Sequence, residues 1–464
     1  MPVTERPKPY LVPDYCKGCG RCVSVCVKGC IAYDGEINPA TGVIPIVLDL
    51  EKCNGCGLCI EACPEPYGLR ALAQGEDYEL QDPSRLFGAK ASEAPEPVDI
   101  PDQKIPMPPS QPLVIKGNYA AALGALLAGC RHVYGYPITP STEGAELMAK
   151  LLPKLDGVFL QAVSEVATVN HMYGTGGAGL PCLTFTSSPG YTLMLEGISY
   201  MIGAEVPAVF INVMRGGPGL GNIAPEQADI KLACSGLGHG NTHAISLMPS
   251  TPQEMLDLTM VAFELSFKYR NPVMVLADGY LGQMTGKVNL PDHLVKPGIP
   301  KWAVYGDRMH RKNLINSIFL DERDLEKHNE HLNRKYEAMQ AEARAESFLC
   351  EDAEIILVAC NTPARASKGA VQELRNQGVK AGLFRPITVW PFPVQQLIAH
   401  LQRGQRLLVV EASAGQLEDE LRLALSKAGQ ATPSIGHVRR MGGMLPDQRD
   451  IIEAAKAFAL EVSR

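Results

Sequence analysis

The sequence predicts an α/β protein, with a small cysteine-rich module at the amino end and then two α/β units, each built on a parallel sheet. Three observations predict it. Eight cysteines fall into two copies of one ladder, Cys16-x2-Cys19-x2-Cys22-x3-Cys26 and Cys53-x2-Cys56-x2-Cys59-x3-Cys63-Pro64. Residues 82–112 carry eight prolines among small and charged residues with no hydrophobic periodicity, which reads as an extended, semi-rigid linker. From Leu113 onward short apolar runs alternate with helical patterns, the signature of strands and crossover helices. The expected division is a cysteine module over 1–81, the linker over 82–112, an α/β domain over 113–300, a charged connector over 301–350 and a second α/β domain over 351–464.

Each ladder sets three thiols at steps of three and a fourth after a step of four. This spacing resembles that of bacterial two-cluster ferredoxins, where the fourth ligand of each [4Fe-4S] cluster comes from the other half of the pseudo-repeat. The resemblance implies that Cys16, Cys19, Cys22 and Cys63 hold one cluster, and Cys53, Cys56, Cys59 and Cys26 the other. Zinc and disulfides are the competing readings, but structural zinc takes ligands in pairs and the zinc-ribbon spacings do not fit, and disulfides rank lower still. Val27 stands where the second ladder has Pro64. Cys30 holds no ladder position; it reads first as a small buried apolar residue and second as a spare ligand. Cys130, Cys182, Cys234, Cys350 and Cys360 are scattered without ligand spacing.

Thiolate-held clusters need a reducing compartment, and Met1 to Tyr15 lacks the charged-then-apolar pattern of a signal peptide. No apolar run reaches the roughly 18 residues that span a bilayer. The nearest, Met201 to Met214, is broken by Glu205 and Pro207. The expectation is a cytoplasmic protein with no membrane segment. A formal net charge of -7 over 464 residues, with no long basic run, argues against nucleic acid or an anionic membrane as partner.

In the first α/β domain, helices are expected over Tyr119 to Cys130, Thr142 to Leu152, Ser164 to Tyr173, Leu193 to Ile202 and Thr251 to Lys268. Strands are expected over His132 to Tyr136, Val158 to Ala162, Cys182 to Thr186, Ala208 to Met214 and Pro272 to Ala277. Ser141 or Thr142 is the expected cap of its helix. The connector reads as a solvated helix paired along its own face, Arg323 with Glu326 and Glu330 with Arg334. The second domain has expected strands over Glu354 to Cys360, Lys380 to Phe384 and Arg406 to Val410.

Gly174-Thr-Gly176-Gly177-Ala-Gly179 fits the dinucleotide pattern G-x-G-x-x-G. It follows a helix and precedes a strand, the reverse of the phosphate-binding context, so a tight helix-to-strand turn is the better account. No G-x-x-x-x-G-K-[ST] is present, which argues against a nucleoside triphosphatase. Gly216 to Gly221 does follow a predicted strand. With Arg215 it sets a basic residue and a donor-rich loop at the carboxyl end of a parallel sheet, where ligands of such folds bind.

Several blocks together resemble the alpha subunit of 2-oxoacid:ferredoxin oxidoreductases, across essentially all of residues 113–464. They are Gly135-Tyr-Pro-Ile-Thr139-Pro-Ser-Thr142-Glu, the helix start at Glu165, Thr186-Ser-Ser-Pro-Gly190 and Arg215-Gly-Gly-Pro-Gly. In the second domain they are Asn361-Thr-Pro-Ala-Arg365-Ala-Ser-Lys-Gly369, Phe384-Arg-Pro-Ile-Thr-Val-Trp390-Pro-Phe-Pro and Glu411-Ala-Ser-Ala-Gly-Gln416. The blocks around Tyr136 to Pro140 and Trp390 are the specific ones. The resemblance implies domains of the thiamine-diphosphate enzyme type, the first of the pyrimidine-binding kind and the second like the transketolase C-terminal domain.

What the resemblance implies chemically is oxidative decarboxylation of a 2-oxoacid on thiamine diphosphate, with coenzyme A taking the acyl group and an external ferredoxin taking the electrons. Adjacent one-electron carriers are what would make such an enzyme an oxidase. Glu165 is implied to hydrogen-bond the cofactor's aminopyrimidine; from the residues alone it reads first as a first-turn carboxylate favoured by the helix dipole. Thr139 and Arg215 match positions near the substrate carboxylate, for which an arginine fork is suited, and Thr139 and Pro137 lie on the cofactor side. Tyr136, Pro137 and Pro140 shape the loop. No Gly-Asp-Gly followed some thirty residues on by Asn is present, so the Mg2+-diphosphate half of the cofactor site is expected on a separate beta subunit. A gamma subunit or domain is expected too, and the chain alone is expected to be inactive.

The spacer Asn316-Ser-Ile-Phe-Leu-Asp-Glu, Glu326-Lys-His-Asn329 and the tail Gly442-Gly-Met-Leu-Pro446 are most similar to the 2-oxoisovalerate branch, though neither reads as lining a substrate pocket. Branched-chain 2-oxoacids rank first, 2-oxoglutarate second, and aryl 2-oxoacids stay open. The alternative class is a non-catalytic, electron-wiring iron-sulfur subunit of another oxidoreductase. The joint presence of Thr139, Glu165 and Arg215 speaks against it.

Overall fold

A computed structural model of the chain describes residues 6–38, 41–65, 68–71, 95–401 and 404–460. These fall into two units, 1–93 and 94–464. The small unit is built as the ladder dictates. Two five-residue helices, Arg21–Val25 and Leu58–Ala62, each start after a left-handed glycine, Gly20 and Gly57. Pro9–Leu11 pairs antiparallel with Leu69–Ala71, and Ile31–Tyr33 with Ile46–Leu48. Cys22, Ile31, Ile46, Cys59 and Leu69 form its buried centre.

The large unit holds two parallel sheets. In the first, the order is Thr388–Trp390, Ile245–Leu247, Pro272–Asp278, Ala208–Met214, Cys182–Thr186, His132–Gly135, Val158–Gln161. All neighbours are parallel except Thr388–Trp390, which arrives from the second domain and pairs antiparallel at the edge. The central strands Ala208–Met214 and Pro272–Asp278 are buried at every residue, as a sheet covered on both faces requires. The second sheet runs Ala345–Phe348, Ala381–Pro386, Ile355–Val358, Arg406–Glu411, Ile435–Arg439, with only Ala345–Phe348 antiparallel.

One property of the first sheet positions the site. The connection leaving His132–Gly135 runs outward to the edge strand Val158–Gln161, while that leaving Cys182–Thr186 runs inward to Ala208–Met214. Adjacent connections that diverge open a crevice at the carboxyl ends of the strands, the usual ligand place in such sheets.

The structure departs from the sequence expectations in four ways. The glycines of G-x-G-x-x-G extend the predicted helix, which runs Glu165–Gly177 and exits at Gly179. Glycine is needed there because a Cβ on Gly176 would stand 2.3 Å from the Pro207 carbonyl. Ser141 does not cap its helix by side chain; its hydroxyl donates instead to the Ile138 carbonyl at 2.8 Å.

The other two concern the linker and the connector. The described part of the expected linker is fastened down: Gln103–Pro106 pairs antiparallel with His293–Lys296, and Ile100 bridges Ile299. Residues 82–94 lie outside the described residues. The charged helix, Glu322–Met339, buries Leu332, Tyr336 and Met339. Among the described residues its ion pairs are not the predicted ones but Asp324 with Lys327, and His331 and Lys335 with Glu205. No described helix is long and apolar enough to cross a membrane.

Candidate active site

Four loops at the carboxyl ends of four neighbouring strands carry the predicted residues. Thr139 follows His132–Gly135, Glu165 follows Val158–Gln161, Gly190 follows Cys182–Thr186 and Arg215 follows Ala208–Met214. Glu165 is the first residue of its helix, whose cap Ser164 accepts the Ala167 N–H at 3.2 Å. That cap fixes where the Glu165 side chain starts, at the end where the helix dipole favours a carboxylate. Glu165 is only 6% exposed, and among the described residues no hydrogen bond reaches its carboxylate. The floor beneath it is Gly190: a Cβ there would stand 2.4 Å from Glu165 Oε1 and 2.6 Å from Thr186 Oγ1.

Arg215 and Thr139 meet directly. Arg215 Nη1 donates to the Thr139 carbonyl at 2.8 Å and Nη2 to the Leu220 carbonyl at 3.1 Å. The fork thus ties the Thr139 loop to the glycine-rich loop. Its Nε is buried with no partner among the described residues. Thr139, Tyr136 and Pro137 are exposed, while Pro140 is buried behind a cis peptide bond. Among the described residues no hydrogen bond links the Glu165 side chain to Thr139 or Arg215. Glu165 is joined to them through the Ser188–Leu193 helix, whose Ser188 hydroxyl accepts the Arg215 backbone N–H at 3.0 Å.

Sequence reasoning missed the support beneath this crevice. Asp229 is buried and accepts from Asn212 Nδ2 at 2.8 Å. Burial pushes its carboxyl above the ordinary aspartate value, although Ser188 and Asn212 pull the other way. Glu226 accepts the backbone N–H of Gly217 at 2.6 Å and that of Gly442 at 3.4 Å, and Asn222 Nδ2 donates to the Gly442 carbonyl at 2.9 Å. The tail glycines, which read as remote from any pocket, therefore dock on the loop that Arg215 opens. The other stretch, from Asn316, lies elsewhere: Ser317 packs at Gly203, and Ile315 just before it at Gly177, the far end of the Glu165 helix. At about 1.5 Å per residue that is roughly 18 Å from Glu165.

The second domain locks onto the same sheet end. Asp278 caps the Gly279–Gln283 helix and accepts the Thr362 N–H and hydroxyl, each at 2.9 Å. Asn361 Nδ2 donates to the carbonyls of Pro249 and Leu276, each at 2.8 Å. The Asn361 block is thus structural mortar between the two sheets.

In the small unit the eight ladder cysteines fall around two cavities. One, of about 360 Å3 with its open mouth included, is lined by Cys16, Cys19, Cys22 and Cys63. The other, of about 400 Å3, is lined by Cys26, Cys53, Cys56 and Cys59, with Cys30 as a fifth. All fourteen cysteines are free thiols. Among the described residues no three ligating side chains converge on a point as a single metal ion requires; the thiols ring a space instead.

Both settings suit the groups that the sequence implies. A ring of four thiols about a cavity matches the ligand set of a cubane, and a buried, unpartnered carboxylate at the strand ends is an acceptor left open for a bound group. A thiamine-dependent α/β body carrying a two-cluster module is the class these features define. Family models agree: one described as pyruvate flavodoxin/ferredoxin oxidoreductase, thiamine diphosphate binding, matches residues 123–349. Core domain II of pyruvate:ferredoxin oxidoreductase matches 353–451, and a 4Fe-4S dicluster domain matches 15–66. The chain is 45% identical to ketoisovalerate oxidoreductase subunit VorB of Methanothermobacter marburgensis, over 75% of this chain and 98% of that one. It is 36% identical to 2-oxoglutarate synthase subunit KorA of Methanothermobacter thermautotrophicus, over 69% and 94%. Among solved structures, the 2-oxoglutarate:ferredoxin oxidoreductase from Magnetococcus marinus superposes with a TM-score of 0.66 at 26% identity, over 75% of this chain and 65% of that one. The chain belongs to the 2-oxoacid:ferredoxin oxidoreductase family, whose members are multi-subunit oxidoreductases.

Proposed function

We propose that this chain is the alpha subunit, fused to its own electron-carrying module, of an oxidoreductase that decarboxylates branched-chain 2-oxoacids and passes the acyl group to coenzyme A. The single observation that carries the reading is Glu165, a buried carboxylate left without a protein partner at the carboxyl ends of four adjacent strands. Thiamine diphosphate, when bound, supplies the electron sink that lets a 2-oxoacid lose carbon dioxide. Glu165 would hydrogen-bond the cofactor's aminopyrimidine ring and so orient it. Arg215 holds the Thr139 carbonyl, and with its free donors attracts the substrate carboxylate. Cys16, Cys19, Cys22 and Cys63 hold one [4Fe-4S] cluster and Cys26, Cys53, Cys56 and Cys59 the other, within a module spanning 1–81.

A beta subunit carries the Mg2+-diphosphate end of the cofactor, a gamma subunit or domain completes the enzyme, and an external ferredoxin takes the electrons in the cytoplasm. The branched-chain preference rests on the higher identity to the ketoisovalerate subunit than to the 2-oxoglutarate subunits, 45% against 36%.

The test is an anaerobic assay of the native complex, following coenzyme-A-dependent dye reduction with 2-oxoisovalerate, 2-oxoglutarate and phenylglyoxylate. Reduction fastest with 2-oxoisovalerate, and abolished in Glu165→Ala with both clusters retained, supports the reading. Turnover that survives Glu165→Ala refutes the role of that carboxylate. No reduction by any acid, from a complex that keeps its clusters, favours the electron-wiring alternative.

A further inference from the structure

Two cavities serve two ladders, and they are not equal. The cavity of the first ladder is ringed by four thiols, whereas that of the second has five, the extra one being Cys30. Cys30 is as buried as Cys22 and Cys59 of the ladders, each 7% exposed. Its sulfur stands 3.2 Å from that of Cys26, and it also faces the Cys53 thiol. Its own backbone N–H points at the Cys26 sulfur at 3.4 Å, and its carbonyl is pinned by the Asp49 N–H at 2.9 Å. The backbone at Cys30 is therefore held by the start of the Ile31–Tyr33 strand while its side chain turns into the cavity. A merely space-filling cysteine gains nothing from that direction.

Each iron corner of a cubane takes one thiolate. Two sulfurs 3.2 Å apart compete for one corner, and a χ1 rotation of either side chain moves its sulfur by about that distance between staggered wells. Val27, exposed where the second ladder has proline, leaves the turn after Cys26 without the fixed φ that proline imposes. The geometry points to Cys30 as an interchangeable fourth ligand of the second cluster, able to take the corner that Cys26 holds. The exchange balances without redox: the Cys30 thiol gives up its proton as its sulfur bonds iron, the iron bond to Cys26 breaks, and the departing Cys26 thiolate takes that proton.

This inference rests on the proposed assignment of Cys26, Cys53, Cys56 and Cys59 to one cluster, and the experiment separates the two. Iron and acid-labile sulfide are measured per chain in anaerobically purified complex, with electron paramagnetic resonance of the reduced clusters. Cys56→Ala is the control and loses about half of the iron; if it does not, the cluster assignment itself fails. Given that control, Cys26→Ala keeps the wild-type iron content with an altered spectrum of one cluster. Cys30→Ala also keeps it, and the double variant Cys26→Ala/Cys30→Ala falls to about half. Loss of half the iron in Cys26→Ala alone, equal to the loss in Cys56→Ala, overturns the proposal. Should Cys26→Ala not fold, Cys30→Ala decides: challenged with a ferrous chelator, it loses one cluster several-fold faster than the wild type, and equal rates overturn the proposal.

Discussion

Replacing Gly190 with alanine is the most informative single change near the proposed thiamine site, because it adds one methyl group directly beneath Glu165. That methyl carbon would lie 2.4 Å from Glu165 Oε1, 2.6 Å from Thr186 Oγ1 and 2.9 Å from Glu165 Cγ. Ordinary van der Waals contact begins at 3.4 Å, so the carboxylate oxygen must retreat by about 1 Å. The obstructing atoms belong to the side chains of Glu165 and Thr186 rather than to backbone, so these two side chains shift while the backbone stays in place. The stability cost is at the low end of the ~1–3 kcal/mol typical of overpacking. Function should suffer more, since a misplacement of about 1 Å at a reacting site costs on the order of 100-fold, or ~2.7 kcal/mol of barrier.

The assay is coenzyme-A-dependent dye reduction by the assembled complex, beside a thermal melt and an iron determination. The expected result is a fall in kcat of about two orders of magnitude, with a melting temperature within a few degrees of wild type and unchanged iron. Wild-type kcat in Gly190→Ala, while Glu165→Ala is inactive, would refute the close-contact reasoning alone. Activity in both variants would remove Glu165 from the mechanism.

Other changes probe other parts. Arg215→Lys keeps the charge but not the fork that holds Thr139 and Leu220; the KM for the 2-oxoacid should rise on the order of tenfold or more, ~1.4 kcal/mol, with iron unchanged, and an unaltered KM would show that the fork is structural only. For Glu205, burial works to raise the carboxyl but Lys335, His331 and Arg270 outweigh it and hold it below the ordinary 4.5, even though burial also lowers Lys335. A carboxyl held low in the folded state contributes stability that is present above its unfolded value and lost as pH falls through its folded one. Protection of the Glu322–Met339 amides, taken relative to their intrinsic exchange rates, should therefore weaken below about pH 4.5, and Glu205→Gln should remove that weakening; wild-type protection that does not change with pH would count against the pairing. Reduced Cys56→Ala should pass electrons to ferredoxin more slowly, whereas an unchanged rate would place the second cluster off the path.

How much of this was readable in the chain depends on how local the determining contacts are. Cys182–Thr186 and Ala208–Met214 were legible to the residue, because a short, largely apolar run bounded by turn residues has few other uses in a parallel sheet. Ile245–Leu247 was not: three residues carry no period, and the strand exists only because Pro272–Asp278 and Thr388–Trp390 flank it. The edge strand Thr388–Trp390 belongs by sequence to the second domain, and nothing near it in the chain announces that it completes the first sheet. The connector shows the same limit on a single helix. Its charges suggested pairs along one face, yet the partner that holds it is Glu205, more than a hundred residues away.

The candidate site divides along the same line. The proposed site residues were legible as candidates, since each sits in a short block with its own pattern, and the strands put Thr139, Glu165 and Arg215 at one end of the sheet. What constrains those residues was not legible, because it comes from residues distant in sequence. Arg215 reaches back 76 positions to Thr139, and Asn222 reaches forward 220 to Gly442. The second of these contacts changes the meaning of the tail: Gly442 read as a mark of lineage, yet it docks on the loop that Arg215 opens. The tail is thereby joined to the proposed site, through the Asn222 and Glu226 contacts that seat the glycine-rich loop. The spacer that begins at Asn316 lies elsewhere, with Ser317 against Gly203 at the end of the Leu195–Gly203 helix. Of the two stretches that resemble the 2-oxoisovalerate branch, the tail is the one that contacts the loop opened by Arg215.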